Sequence, residues 1–222
     1  MTGRTSAAVV IPIRAFAGGK SRLAGLLAPT TRSDLLALLA GQVAAAAAGF
    51  PTAVVSSAPE VLVWASQRGL ATIADPGSLN AAAAAAQRWA TSLGVERVVI
   101  AHADLPLARS LAALTADGPE RMVAAVRCHR ADGTPVLSLP TTLPFRFAYG
   151  RGSFARHVLE AAHQGAAFRR IGDPCLEVDV DGPGDLWLAA QASPVVREFL
   201  LSRSIHLAHP TRTPLDAVPT PP

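Results

Sequence analysis

Apolar, β-branched runs alternate with longer stretches of helical period along most of the chain. The pattern predicts strands near 7–13, 53–57, 71–74, 97–102, 121–126, 134–139 and 176–180. It predicts helices over 31–48, 59–68, 79–93, 107–115, 153–163, 183–192 and 195–203. The run in "ERVVIAHADLP" is apolar without alternation, as a strand buried on both faces must be. Strands that alternate with helices in this way predict an α/β protein, a three-layer sandwich with a mostly parallel central sheet. No internal repeat or linker interrupts the pattern before residue 204, so residues 1–203 read as one domain. The following "SIHLAHPTRTPLDAVPTPP", residues 204–222, is Pro-rich, has neither period and reads as a loose tail.

Composition narrows the classes. Of 222 residues, half are hydrophobic and 16% charged, which suits a globular chain with a sizeable core and excludes a disordered one. The alanine runs "GQVAAAAAGF" and "LNAAAAAAQRW" fit helices packed closely on a sheet, and neither reaches the roughly 18 to 20 apolar residues of a membrane span. The apolar core of "MTGRTSAAVVIPIRAF" is too short for a signal peptide and ends in Pro and Arg, so it reads as a first strand. Cys128 and Cys175 lie far apart without metal-ligand spacing and read as free thiols of a cytoplasmic protein. The net charge of +4 comes almost entirely from scattered arginines; Lys20 is the only lysine. With no basic run and little aromatic interleaving, the charge points to small anionic ligands rather than nucleic acid.

Ligands of open α/β sheets bind beyond the carboxyl ends of the strands. Polar segments follow the apolar runs repeatedly: "IRAFAGGKSR", "SSAP", "ADPGSLN", "HADLP" and "VDVDGPGD". Strand ends aimed at one rim predict a single cleft. The "GGKS" of the first loop looks like the end of a phosphate-binding P-loop, but that motif needs glycine at position 14, where the chain has Arg14. What remains is a glycine turn with Arg14, Lys20 and Arg22, able to surround a triphosphate; the alternative is ordinary solvated loop charge.

"HADLP" puts Asp104 at the end of a buried strand, where a carboxylate must pair, cap a helix or bind a cation. In "EVDVDGPGDL", Asp179 and Asp181 fall on one face of the expected strand, with Asp181 placed to cap the next helix and Asp179 left as the better metal ligand. Asp104 and Asp179 on one rim suit Mg²⁺, which takes one or two carboxylates plus substrate phosphate oxygens. A third loop, "FAYGRGSFARH", offers Gly150 and Gly152 for backbone N–H contact with an anion and Ser153 as a helix cap, with Arg151, Arg156 and His157 adding positive potential. In "ADGTPVL", Thr134 could bind an anionic oxygen, or the Asp-Gly could simply turn a hairpin. His102 reads as a satisfied strand-end histidine rather than a base.

Taken in order, "IPIRAFAGGKSRLAG", "DPGSLNAAAAAA", "HADLP", "DGTPVL", "YGRGSFARH" and "VDVDGPGDL" resemble the 2-phospholactate or phosphoenolpyruvate guanylyltransferases of coenzyme F420 biosynthesis, over roughly residues 8 to 190. The resemblance implies a Rossmann-like, GT-A-like nucleotidyltransferase fold related to the molybdenum-cofactor guanylyltransferases. It implies GTP as donor, Mg²⁺ as metal, a three-carbon phospho-acid as acceptor (3-phosphoglycerate included), and a downstream transferase of the same pathway as partner. On its pattern Asp104 and Asp179 hold the metal, and Lys20 and Arg22, with Arg14 beside them, face the triphosphate. Asn80 lies near the base, and Thr134, Gly150 and Ser153 hold the acid. Arg14 stands where the family commonly has Lys, and Pro135 where many members have Asn. The rival readings are a sugar-phosphate or molybdopterin nucleotidyltransferase and a non-catalytic GTP-binding regulator.

Overall fold

The computed structural model of the protein describes residues 7–115 and 121–207. The chain runs β1 (Ala7–Pro12), α1 (Pro29–Ala46), β2 (Thr52–Val55), α2 (Pro59–Ser66), β3 (Ala71–Ile73), α3 (Leu79–Ser92) and β4 (Arg97–Ala101). It continues through α4 (Ala112–Thr115), β5 (Met122–Val126), β6 (Val136–Pro140), α5 (Ser153–His163), β7 (Ala167–Ile171), α6 (Pro174–Glu177), α7 (Pro183–Ala192) and α8 (Pro194–Leu201). The strands form one sheet in the order β3-β2-β1-β4-β6-β5-β7, in which only β6 is antiparallel to its neighbours.

Both faces of the sheet are covered, and the side-chain alternation of β1 divides the core. Val9 and Ile11 face the layer that holds Val43 of α1 and Val61 and Trp64 of α2. Ala8 and Val10 face α3, whose Ala82, Ala83, Ala86 and Ala90 form one buried stripe. Alanine along that stripe lets the helix lie close on the sheet, and Ser78 caps it by accepting the Ala81 N–H at 3.2 Å. A third cluster lies beyond the sheet. Leu23, in a 3₁₀ turn at Ser21–Leu23, packs with Leu35 and Leu39 of α1, Leu186 and Ala189 of α7, Phe199 of α8, and Val180. Leu23 and Val180 are fully buried there, which brings the first loop and the 179–181 segment together although 157 residues separate them in sequence.

Two expected elements differ. The strand expected over 176–180 is a short helix, α6, followed by an extended segment outside the sheet. Pro174 starts the helix, and Leu176 and Val180 enter two different clusters rather than one strand face. The seventh strand is instead "AFRRI", an edge strand whose Arg169 and Arg170 are exposed. The helix expected over 107–115 contracts to α4. Residues 208–222 of the expected tail lie outside the described residues, as do 1–6 of the N-terminal segment; Ile205 and Leu207 are described and pack on the third cluster. Both cysteines are free, and among the described residues no helix is long and apolar enough to cross a membrane.

Candidate active site

The carboxyl ends of β1 and β4 open on a cleft of about 520 Å³. Its walls carry Arg14, Lys20 and Arg22 from the first loop, Leu79 from α3, His102 and Asp104 after β4, and Asp181. Lys20 has φ 54°, a left-handed conformation that a residue with a Cβ adopts at a cost of about 1 kcal/mol. Two ion pairs hold it there: its Nζ donates to Asp104 Oδ2 and, at 3.0 Å, to Asp181 Oδ1. Burial pulls the ammonium pKa down, and the two carboxylates more than offset this, so it is raised and Lys20 stays charged. Arg22 is exposed, 3.9 Å from Asp181, and Arg14 is exposed on the cleft wall.

Asp104 caps nothing, because no helix begins beside it; its backbone carbonyl accepts the Val180 N–H at 3.1 Å and ties the two acidic segments together. Asp181 is not the cap of α7 either. Gly182 takes that position, and Asp185 Oδ2 accepts the N–H groups of Asp181 and Gly182 at 2.9 and 2.8 Å. The Asp181 side chain is thereby free for Lys20 and for Arg130.

Arg130, in the loop between β5 and β6, organises the acidic segment. Its Nη1 donates to both oxygens of Asp185 at 2.8 and 2.7 Å, and its Nη2 to Asp179 at 2.8 Å and Asp181 at 2.9 Å. His129 adds ring contacts to Asp185 at 3.2 Å and Asp179 at 3.6 Å. Neither Arg130 nor Asp185 was singled out by sequence motif. A clamp formed across 49 to 55 residues leaves no local spacing to read. Burial raises the Asp179 pKa, the Asp104 charge raises it further, and Arg130 only partly offsets them. Four carboxylates thus face two cations that hydrogen-bond to them, Lys20 and Arg130, and a looser third, Arg22. The buried Oδ1 atoms of Asp104 and Asp179 accept no hydrogen bond among the described residues. Excess negative charge and two unbonded carboxylate oxygens fit a divalent cation held by two carboxylates with ligand oxygens completing its shell. Among the described residues no group of three or more His, Cys, Asp or Glu is gathered to cage an ion, so an all-protein site is not what this arrangement offers.

Thr134, Gly150 and Ser153 come together on the other side of His102, but their hydroxyls are turned inward. Thr134 and Ser153 are 1% exposed, with Oγ1 and Oγ 3.1 Å apart. Ser153 does not cap α5, which starts from Gly152 at φ 73°, and the Gly152 N–H is taken by the Asp132 carboxylate. His157 adds no positive potential: buried, with Arg156 and His102 near it, its pKa is pushed down to about 4. Its Nε2 accepts the Ala148 N–H at 3.2 Å, so the neutral ring carries its proton on Nδ1 and donates to Thr134 Oγ1 at 3.1 Å. Arg156 folds back on the carbonyls of Ala148, Tyr149 and Arg151. Asn80, at the start of α3, is exposed and accepts the Tyr149 N–H on its Oδ1 at 2.7 Å, joining α3 to this loop rather than lining the cleft.

The buried His157 makes stability pH-dependent. Below about pH 6.5 the unfolded chain binds a proton that the folded chain refuses until about pH 4. This contribution is fully present above pH 6.5 and falls away toward pH 4, by roughly 3 kcal/mol. Urea unfolding at pH 7 and pH 4.5 measures it; His157→Gln, which cannot titrate, should lose markedly less stability across that interval.

Comparison with known proteins fits this geometry. Residues 7–207 match the family described as "Guanylyl transferase CofC like". The chain belongs to that family. As a CofC-like protein it is an enzyme of the nucleotidyltransferase class, and the match extends past the residues on which the sequence motifs lie. It is 36% identical over 193 residues to the phosphoenolpyruvate guanylyltransferase of Sphaerobacter thermophilus, covering 84% of this chain and 93% of that one. It is 29% identical over 183 residues to the 2-phospho-L-lactate guanylyltransferase of Methanothermobacter thermautotrophicus, covering 80% and 81%. A nucleotidyl transferase of known structure from a Methanothermobacter shares the fold with a TM-score of 0.60 at 18% identity, covering 90% of this chain and all of that one.

Proposed function

We propose that the protein transfers the guanylyl group of GTP to the phosphate of a three-carbon phospho-acid, phosphoenolpyruvate or 2-phospho-L-lactate, with 3-phosphoglycerate the third candidate. Pyrophosphate is released, and the product carries a diphosphate-linked guanosine, as a step of coenzyme F420 biosynthesis in the cytoplasm. The observation that carries the reading is the CofC-like match across nearly the whole chain, with the acidic rim and Lys20 inside the matched region.

An oxygen of the acceptor phosphate attacks the α-phosphorus of GTP while the bond to the pyrophosphate oxygen breaks. The attacking phosphate is already anionic, so no general base is needed, in keeping with a neutral, internally bonded His157. The work of the site is to bring two anions together in line. Lys20 presents a fixed positive charge at the end of β1, and Arg14 and Arg22 stand on the cleft wall for the triphosphate. Asp104 and Asp179 would hold Mg²⁺, which draws charge off the reacting phosphate oxygens when bound. Arg130 keeps Asp179 in place from behind. Thr134, Gly150 and Ser153 form the acceptor side, where the Nδ1–H of His157 and the Thr134–Ser153 hydroxyl bond hold the two buried side chains in place beside Gly150.

The test is pyrophosphate release with Mg²⁺, each nucleoside triphosphate and each of the three acids, followed by identification of the product. GTP with one of these acids should give a guanosine diphosphate-linked acid. GTP binding without pyrophosphate release would make the protein a regulator. Transfer only to sugar phosphates or molybdopterin would move it to another branch of nucleotidyltransferases.

A further inference from the structure

His102 Nε2 and Tyr149 Oη are buried polar atoms that find no hydrogen-bond partner among the described residues. They are neighbours: the two rings lie 5.5 Å apart, tilted by 41°. Tyr149 is 8% exposed, and burial raises its pKa, so the phenol keeps its proton and can donate. Packing alone does not call for that hydroxyl. Tyr149 stacks on Phe147 and meets His157 edge-on at 4.9 Å, contacts that a phenylalanine would make without burying an unpaired oxygen.

Their place in the fold says what the pair would meet. His102 lines the cleft with Lys20 and Asp104, while its backbone N–H donates to the Pro135 carbonyl at 2.8 Å, one residue from Thr134. Tyr149 directly precedes Gly150, and its own N–H is fixed by Asn80. His102 thus stands on the wall of the metal-and-triphosphate half, and Tyr149, packed on its ring, leads into the half assigned to the acceptor. An acceptor whose phosphate reaches the Lys20–Asp104 rim carries its carboxylate on the ester-bearing carbon, or one carbon further in 3-phosphoglycerate, within reach of His102 on the same cleft wall.

We infer that His102 and Tyr149 bind the carboxylate of the acceptor, each donating to one of its oxygens, and so select a phosphorylated acid over a phosphate ester that lacks the acid. This rests on the proposal that the acceptor is a phospho-acid. The imidazole donates through Nε2, and the Tyr149 hydroxyl supplies the second bond.

Calorimetric binding of phosphoenolpyruvate, 2-phospholactate and 3-phosphoglycerate, each run against glycerol phosphate, tests the pair without requiring turnover. It is run on the parent protein, Tyr149→Phe and His102→Leu, with GTP binding and thermal melting as controls for the fold. Each variant should bind the phospho-acid preferred by the parent at least about tenfold more weakly and lose a similar factor of discrimination against glycerol phosphate. Unchanged affinity and discrimination in Tyr149→Phe, in a parent that transfers guanylyl to the acid, overturns the subsite and leaves the proposed function standing. Tenfold weaker binding by the variants of a parent that binds the acid but transfers nothing to it supports the subsite and sinks the proposed function. A parent that binds none of these acids overturns both.

Discussion

Asp104→Asn is expected to fold like the parent and to release pyrophosphate at least roughly 10²–10³-fold more slowly. The substitution keeps the shape and removes one negative charge. That charge meets Lys20 on one side and leaves a buried Oδ1 unbonded on the other. Lys20 keeps its partner Asp181 at 3.0 Å, and Asp179 is relieved of the like charge that helps raise its pKa, so the folded state is not left with a new unpaired ion. Melting should therefore shift by only a few degrees, while the carboxylate that would share the metal is gone. Loss of Mn²⁺ binding, read by magnetic resonance with no substrate present, should accompany the loss of rate. Near-normal transfer by a folded Asp104→Asn enzyme would remove Asp104 from the metal site.

The residues that sequence placed well are those whose constraint is local. β1 and β4 are buried on both faces and read as unbroken apolar runs, so their ends located the rim and with it Lys20 and Asp104. A single lysine in a glycine turn stood out for the same reason. What escaped is built by long-range contact. β7 is an edge strand with two exposed arginines, and its composition carries no burial signal. Asp179 and Asp181 bond to Arg130 from an extended segment rather than from the strand assigned to them, because Pro174 diverts the chain into α6. Arg130 sits in an irregular loop and acquires meaning only when that loop closes over the 179–185 segment. His157 shows the limit from the other side. Its type suggested charge, and only its burial and the Ala148 N–H make it a neutral donor.

Lys20 carries the second large effect. Lys20→Met should cut transfer by about 10²–10³-fold, since the site loses its one fixed ammonium facing the two reacting anions. It should also cost stability, in a way that the metal reveals. With the side chain only 10% exposed, removing the ammonium leaves Asp104 and Asp181 facing Asp179 with only Arg130 and the more distant, exposed Arg22 to balance them. The cost is of order 2–3 kcal/mol, below that for a fully buried pair because Asp181 is 37% exposed. A divalent cation binds the folded site and not the unfolded chain, so millimolar Mg²⁺ should restore more stability to Lys20→Met than it adds to the parent. Lys20→Arg keeps the charge but spreads it over a longer planar group, and should melt near the parent while transferring slowly. If Lys20→Met retains half the parental rate, Lys20 is a structural cation and the triphosphate assignment fails. If its stability responds to Mg²⁺ no more than the parent's does, Asp104 and Asp179 are not the place where the metal binds.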